Sequence, residues 1–192
     1  MSGPDVVITG YGSVSALGNN AGDMRDALVA GRSGISPLTL DRDSERLQVK
    51  IAAQVRGFDP AERLPKARLP FLDPFAQFAL AACLEAVEQS GLEETDLRSH
   101  RTSVILGTGI GGVSTQDNAY HTFYGEQKKR LDPMTIPRAM PNAAASQISM
   151  EIGATGPSFT VSSACASSNH AVATGLGLIR AGLADRVITG GS

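Results

Sequence analysis

One cysteine of this chain lies where an enzyme nucleophile would lie. Cys165 falls in segment 159–170, FTVSSACASSNH, where an apolar stretch rich in β-formers passes through small residues into an amphipathic helix. We therefore expect its thiol at a turn between a strand and a helix. Small neighbours let a substrate approach the sulfur, and the positive end of a helix dipole stabilises a thiolate. This setting predicts nucleophilic, covalent catalysis.

The other thiol and the histidines do not show such a setting. Cys83 lies in the helical pattern FALAACLEAV, where a small buried thiol is ordinary core material. Two cysteines in a chain of this size are not a disulfide framework, so we expect both to be reduced. Of the three histidines, His100 is expected in a loop and His121 in a helix. His170 follows Cys165 by five residues, which on one helix is about 140° around the axis, so we expect it to face away from the thiol.

The elements that must position the thiol alternate between strand and helix patterns. Strands are expected at 5–10, 102–107, 157–162 and 186–190, with an edge or flap strand at 49–55. Helices are expected at 21–30, 73–89, 113–124, 143–152 and 166–181, and a polar, proline-containing loop runs through residue 142. The last helix has an expected inward stripe of Ala171, Val172, Leu176 and Ile179. The alternation predicts an α/β fold with a mostly parallel sheet covered by helices.

Bulk properties exclude several classes of protein. The chain has 192 residues, of which 42% are hydrophobic, so one domain with a sizeable core is expected rather than disorder. The net charge of -2 gives no global field for nucleic acid or an anionic membrane as the main partner. No stretch reaches the roughly 18 apolar residues of a bilayer span, and residues 1–4 show no signal pattern. The expected location is cytoplasmic.

A glycine-rich loop offers a rival function. Residues 107–112, GTGIGG, follow an expected strand and precede an expected helix, as a dinucleotide site requires. Such a fold also needs an early next strand that ends in an acidic residue, whereas residues 128–142 are basic, polar and broken by prolines. The alternative is a tight turn in which the backbone passes close to a bound chain or another strand.

Several motifs occur together in this chain. They are VITGYG at 7–12, GRSGI at 31–35, GTGIGG at 107–112, GPS at 156–158, VSSAC at 161–165 and VITGG at 187–191. This combination resembles the N-terminal half of a β-ketoacyl-acyl-carrier-protein synthase of the elongating type I or II, in the thiolase superfamily. The resemblance implies a thiolase-like layered domain over residues 1–192, the second half of the fold being absent, and homodimer formation.

The resemblance also implies a reaction. Cys165 corresponds to the cysteine that takes an acyl group from the phosphopantetheine thioester of an acyl carrier protein. Malonyl carrier protein is then decarboxylated, and its carbanion attacks the acyl enzyme in fatty-acid or polyketide elongation. The backbone N–H of Cys165 would form part of an oxyanion hole. No metal or cofactor of its own is implied, since the carrier protein brings the phosphopantetheine. The family's two catalytic histidines and lysine belong to the second half.

Further site residues follow from the same resemblance. Ile110, in the glycine loop, corresponds to a residue that gates the acyl pocket. Thr135 and Ile136, within PMTIP at 133–137, correspond to the far end of that pocket near the dimer interface. Thr135 differs from the aromatic residue common there in type II members. For all three positions, ordinary packing is the alternative.

Two basic stretches correspond to surfaces that bind the acidic carrier protein. Lys129 and Arg130 match a basic pair of the synthases, and Lys66 and Arg68 lie in a second basic stretch. Cations around a tunnel mouth steer and orient an acidic partner. The alternative is that each basic stretch is simply part of the solvent-exposed surface, as most charge runs are.

Three functions therefore remain open at the level of sequence. The first is a full synthase, completed when another polypeptide or a further part of the gene supplies the histidine half. The second is a non-catalytic remnant or binding module that still presents a surface to the carrier protein. The third, and most remote, is a dinucleotide-binding protein.

Overall fold

A computed structural model describes residues 5–40 and 46–192. The expectation that residues 1–4 show no signal pattern therefore lies outside the described residues. The helices are α1 Ala21–Val29, α2 Pro60–Arg63, α3 Pro74–Ser90, α4 Glu94–Leu97, α5 Val113–Tyr120, α6 Thr135–Ala139, α7 Ala143–Ile152 and α8 Ser167–Arg180. The strands are β1 Ser36–Pro37, β2 Ile51–Ala52, β3 Thr102–Gly107, β4 Ser158–Val161 and β5 Arg186–Gly191. A 3-10 turn spans Leu69–Phe71, and a π-helical turn spans His121–Gly125.

The central sheet is parallel, as the alternating pattern predicts. Its strand order is β4-β3-β5, and Ile105 of the middle strand lies opposite Phe159 on one side and Thr189 on the other. Every residue of β3 is buried, which suits the central strand of a sheet covered on both faces. The strands β1 and β2 form a separate antiparallel ladder of two residues each.

Helices cover both faces of this sheet. On one face Val104 and Leu106 of β3 join the hydrophobic core with Leu80 of α3 and Ile148 of α7. Each of these large side chains stabilises the fold by about 1.5–3 kcal/mol through its burial. On the other face α8 packs across β3 and β5. Within the described residues, no helix is long and apolar enough to cross a membrane.

A buried carboxylate joins two helix N-termini beneath the glycine loop. Asp73 caps α3 by accepting a hydrogen bond from the N–H of Phe75 at 3.3 Å, and Pro74 occupies the first helical position. Its other oxygen accepts a hydrogen bond from the N–H of Thr115, in the first turn of α5, at 2.7 Å. Since α5 has no side-chain cap of its own, Asp73 fixes where the glycine loop ends.

The expected first strand, 5–10, is not formed. Segment 5–14 has no strand partner among the described residues, and Val7 and Ile8 are 74% and 86% exposed. Side chains of α3 instead bind the donors that follow it. The N–H of Tyr11 donates to the Gln89 side chain at 2.7 Å, and that of Ser13 to Glu85 at 3.0 Å. The apolar sequence of this segment is typical of a strand, but the segment lies along α3 instead.

Three further expectations need correction. Of the expected strand 49–55, only Ile51–Ala52 pairs, because its partner β1 is equally short. The loop through residue 142 contains the helix α6. On α8, Val172 is 47% exposed, and the buried positions are Ser167, Ala171 and Gly175. These recur every four residues and are small, so the helix lies closer to the sheet than a stripe of large residues would allow.

The first turn of α8 lies directly against the end of β3. A Cβ on Gly107 would be 2.3 Å from the Ser167 carbonyl carbon and 2.4 Å from the Ser168 nitrogen. A Cβ on Gly191, at the end of β5, would be 2.6 Å from the Cβ of Ser168. Real side chains do not occupy such distances, so glycine at both strand ends is what lets the helix begin there.

This contact predicts that Gly107→Ala destabilises the protein by about 1–3 kcal/mol, because the backbone must move to make room for the methyl group. Gly109→Ala is the matched control, since a Cβ at Gly109 would meet nothing within 4 Å. We expect the control to change stability by no more than ~0.5 kcal/mol. Urea unfolding of both variants measures this, and equal stabilities would contradict the described contact.

Candidate active site

The candidate nucleophile lies on a five-residue elbow, 162–166, between the end of β4 and the start of α8. Ala164 has φ of +52°, in the left-handed region that non-glycine residues rarely adopt. This strained residue turns the chain immediately before Cys165, which is an exposed, free thiol directly ahead of the helix N-terminus.

A buried serine hydroxyl holds the elbow. Ser167, only 4% exposed, accepts a hydrogen bond from the N–H of Ser163 at 2.9 Å and donates one to the carbonyl of Ala164 at 2.6 Å. It also lies 3.4 Å from the carbonyl oxygen of Thr108 in the glycine loop. One side chain in the first turn of α8 therefore ties down both residues before Cys165.

An open cleft of about 270 Å³ lies beside the thiol. It is lined by Gly107, Thr108, Gly109, Ala164, Cys165, Ser167, Ser168, Gly191 and Ser192. Among the described residues, the backbone N–H of Cys165 has no hydrogen-bond acceptor. This N–H is available to donate to an oxyanion that forms on a carbonyl carbon bonded to Sγ.

His170 contacts the elbow through Ser163 and not through the thiol, from which it was expected to face away. Because α8 begins at Ser167, Cys165 is not on that helix, and the angular argument that turned His170 away from it does not apply. The Nδ1 atom of His170 is instead hydrogen-bonded to Oγ of Ser163, at 2.6 Å. Within the described residues, it makes no hydrogen bond to the Cys165 thiol, so the structure shows no base in contact with that thiol.

The second cysteine differs from Cys165 in its surroundings. Cys83 is buried among the apolar side chains of the core cluster. Burial raises the pKa of its thiol to about 12, because the thiolate would be desolvated there. At neutral pH Cys83 is therefore protonated and unreactive, in line with the core role expected from the sequence.

The residues expected to line the acyl pocket lie on two adjoining elements. Ile110 is 64% exposed and follows Gly109, which lines the cleft. Thr135 and Ile136 begin α6, and the N–H of Gly112 donates to α6 at the Ala139 carbonyl, 3.2 Å away. The structure thus brings the glycine loop and α6 together, but neither Ile110 nor the two α6 residues line the cleft at Cys165.

The two basic stretches flank α6. Arg138 of α6 donates to the Pro70 carbonyl at 3.4 Å, next to the stretch of Lys66 and Arg68. It also pairs with Asp132, which follows Lys129 and Arg130. The N–H of Met134, and then Arg138, hold the pKa of Asp132 below its usual value. Arg138 therefore links both stretches.

These basic side chains differ in their availability. Lys66, Lys129 and Arg130 are exposed. Arg68 pairs with Glu151 at 2.8 Å and donates to the carbonyl of Met150 at 3.3 Å. Most of its charge is therefore neutralised locally.

The glycine loop is not shaped for a dinucleotide. A Cβ on Gly112 would lie 2.4 Å from the carbonyl oxygen of Arg138, so protein backbone already occupies that side of the loop. The N-terminus of α5, which would bind a pyrophosphate in such a site, faces the carboxylate of Asp73. The alternative of a tight turn with close backbone contacts fits the structure.

The sequence reasoning missed several residues that shape the site. In the sequence, Ser163 and Ser167 are small neighbours of the thiol, although serine near a helix N-terminus is a common hydrogen-bonding residue. Asp73 marks only the start of an expected helix. Its second contact, 42 residues away at Thr115, has no signal in the sequence.

Comparison with known sequences places this site in context. The sequence model of the family described as "Beta-ketoacyl synthase, N-terminal domain" matches residues 4–192. The chain is 37% identical to 3-oxoacyl-acyl-carrier-protein synthase 2 of Coxiella burnetii, over 97% of this chain and 45% of that protein. It is 36% identical to nodulation protein E of Rhizobium sp. strain N33, over 97% of this chain and 46% of that protein. The chain spans about half the length of the curated relatives it matches.

Solved structures resemble the fold over almost the whole chain. The ishigamide ketosynthase/chain length factor structure matches with a TM-score of 0.92 and 29% identity, covering 99% of this chain and 47% of that one. A β-ketoacyl synthase from Burkholderia phymatum STM815 matches with a TM-score of 0.79, covering 93% of this chain and 44% of that one. At 24% identity the second likeness shows the fold alone.

The contrast between the two thiols predicts selective alkylation. At pH 8 a thiol with a pKa of about 12 is thiolate in only ~1 molecule in 10⁴, and Cys83 is also shielded from reagent. We expect iodoacetamide to label Cys165 and to leave Cys83 unlabelled until the protein is unfolded in urea. Peptide mass spectrometry measures both sites, and labelling of Cys83 in the folded protein would contradict its burial.

Proposed function

Because the chain belongs to the β-ketoacyl synthase family, whose N-terminal domain it contains, we propose that it forms the acyl-accepting part of a β-ketoacyl-acyl-carrier-protein synthase. The observation that carries the proposal is Cys165, an exposed thiol at a helix N-terminus with its own N–H unpaired among the described residues. The reaction class is acyl transfer, followed by decarboxylative Claisen condensation in fatty-acid or polyketide elongation.

The chemistry of acyl loading follows from the elbow. The Cys165 sulfur attacks the carbonyl carbon of an acyl phosphopantetheine thioester, and the Cys165 N–H donates to the oxygen that becomes negative. The intermediate collapses when its bond to the phosphopantetheine sulfur breaks. The proton of Cys165 ends on that leaving thiol, and the acyl group remains on Cys165. No cofactor belonging to this chain takes part, since the carrier protein brings the phosphopantetheine.

Condensation requires groups that the described residues do not place at the thiol. His100 lies in the turn before β3, His121 starts the π-helical turn, and His170 contacts Ser163. The relatives are about twice as long as this chain. We assign malonyl decarboxylation to the two histidines that the family resemblance places in the second half, supplied by a longer form of the protein or by another chain.

The proposed partner is an acidic acyl carrier protein. Lys129 and Arg130 are exposed beside α6, and Lys66 lies on the second basic stretch that Arg138 connects to it. One solved structure of similar fold is described as a type II polyketide synthase acyl-carrier protein in complex with its ketosynthase. The proposed acyl pocket runs from Ile110 towards Thr135 and Ile136. Reaction with a carrier protein is the basis for proposing a cytoplasmic location.

Dimer formation is part of the same proposal. The solved structure with the TM-score of 0.92 is described as the ishigamide ketosynthase/chain length factor. The exposed apolar side chains Ile136 and Met140, on and after α6, and Phe159 on the edge strand β4 give this chain a surface suited to a second copy. We propose a homodimer.

Acyl loading is tested by intact-mass spectrometry after incubation with octanoyl carrier protein. We expect one octanoyl group per chain, none on Cys165→Ala, and normal loading on the matched variant Cys83→Ala. Carrier binding without any loading would indicate a carrier-binding module instead of an acyl-accepting enzyme. Absence of both binding and loading would contradict the proposed function.

Carrier docking is tested by a double variant, Lys129→Ala with Arg130→Ala. Each exposed charge contributes on the order of 0.5–1 kcal/mol, so we expect the loss of both to weaken carrier binding about 5- to 30-fold and to make it less salt-dependent. Arg25→Ala, an exposed cation on α1, is the control and should bind normally. Isothermal titration at two salt concentrations makes the comparison. Equal affinities for the two variants would place docking elsewhere.

A further inference from the structure

Three hydrogen bonds hold Ser163 to the start of α8. Its hydroxyl binds Nδ1 of His170 at 2.6 Å, its N–H donates to Oγ of Ser167 at 2.9 Å, and its carbonyl accepts from the N–H of Ala166 at 3.2 Å. We call Ser163, Ser167 and His170 the elbow clamp. The clamp joins the residue two before Cys165 to the first turn of the following helix.

The clamp opposes a strained backbone. Ala164, with φ of +52°, lies between Ser163 and Cys165. A non-glycine residue in this region is retained only where neighbouring contacts over-determine the conformation. Relaxation of Ala164 to an ordinary φ would rotate the peptide that carries the Cys165 N–H and move the thiol from the helix N-terminus.

We infer that His170 is a positioning residue for Cys165, which it holds in place through the hydroxyl of Ser163. This inference deepens the proposed function and rests on it for the role of Cys165 as the acyl acceptor. Among the described residues His170 makes no hydrogen bond to the thiol and does not line the cleft, so we assign it no proton transfer at the thiol. It keeps the Cys165 N–H and sulfur aimed at one carbonyl group.

The two anchors of the clamp differ in burial. Ser167 is buried, so its loss would damage the fold as well as the elbow. His170 is exposed, so its replacement removes little apolar burial and leaves packing of α8 intact. Either protonation state of the imidazole can keep the bond, since the serine hydroxyl both donates and accepts. His170 is therefore the position at which elbow geometry can be separated from stability.

The experiment measures acylation of Cys165 by octanoyl carrier protein in four variants. His170→Ala and Ser163→Ala should each slow acylation about 3- to 10-fold, the loss expected for one hydrogen bond that orients the reacting group. The double variant should be no slower than the slower single variant, because both changes remove the same bond. Asn169→Ala, exposed on the same turn, is the control and should react normally.

Conservative variants separate positioning from a general structural effect. His170→Asn keeps a hydrogen-bonding group near the position of Nδ1, and Ser163→Thr keeps the hydroxyl, so both should react within about 2-fold of the parent protein. Thermal unfolding should shift little in all of these proteins. Additive losses in the double variant, or failure of both conservative variants to restore the rate, would overturn the inference.

A second readout distinguishes failure of the clamp from failure of the proposed function. If the parent chain accepts no acyl group, the proposed function fails. Alkylation of Cys165 by iodoacetamide then tests whether the elbow clamp positions the thiol. The Cys165 thiol is exposed on the held elbow, so rotation of its peptide changes the access of the reagent. We expect the alkylation rate of the two alanine variants to differ about 2-fold from that of the parent protein, again without additivity. Unchanged alkylation in that case overturns the inference.

Discussion

The absence of a side chain at Gly107 is the constraint on which the site depends. Carbonyl and amide atoms of Ser167 and Ser168 lie where its Cβ would be, so α8 starts against the carboxyl end of the central strand. From that start Ser167 reaches both the elbow and the glycine loop. The open cleft beside Cys165 is a direct result, since the strand end and the first turn of the helix form its walls.

Polar anchors convert this close approach into a defined geometry. Ser167 and His170 hold Ser163, and Asp73 fixes the N-terminus of α5 at the far end of the glycine loop. Removing Ser167 or Asp73, the two buried anchors, would leave hydrogen-bonding partners unsatisfied and would cost about 1–3 kcal/mol, a large share of the stability of a single domain. These hydrogen bonds hold Cys165 and the loop opposite it in position. The roles proposed for Cys165, nucleophile and oxyanion donor on one residue, need such rigidity.

Local patterns predicted the elements around the site, and the family match confirms the thiolase-like α/β fold that the motifs implied. The helix α3, with proline at its start, and the strand β3 have strong local signals. The expected strand at 5–10 was wrong because pairing is a non-local property, and Gln89 and Glu85 of α3 bind the donors next to it. His170 makes no hydrogen bond to the thiol among the described residues, in line with the expectation that it faces away, but its bond to Ser163 has no signal in the sequence. Contacts such as Asp73 to Thr115 depend on the folded chain alone.

In the proposed mechanism, the elbow presents Cys165 together with its own N–H to a thioester carbonyl. The most direct test is a crystal structure of the chain after reaction with an alkyl chloromethyl ketone. This reagent loses chloride to the Cys165 sulfur and leaves a non-hydrolysable thioether with one methylene between Sγ and the carbonyl carbon. We expect a covalent bond to Sγ of Cys165, a carbonyl oxygen within hydrogen-bond distance of the Cys165 N–H, and an alkyl chain directed towards Ile110. A bond to another residue, or a carbonyl oxygen turned away from that N–H, would contradict it.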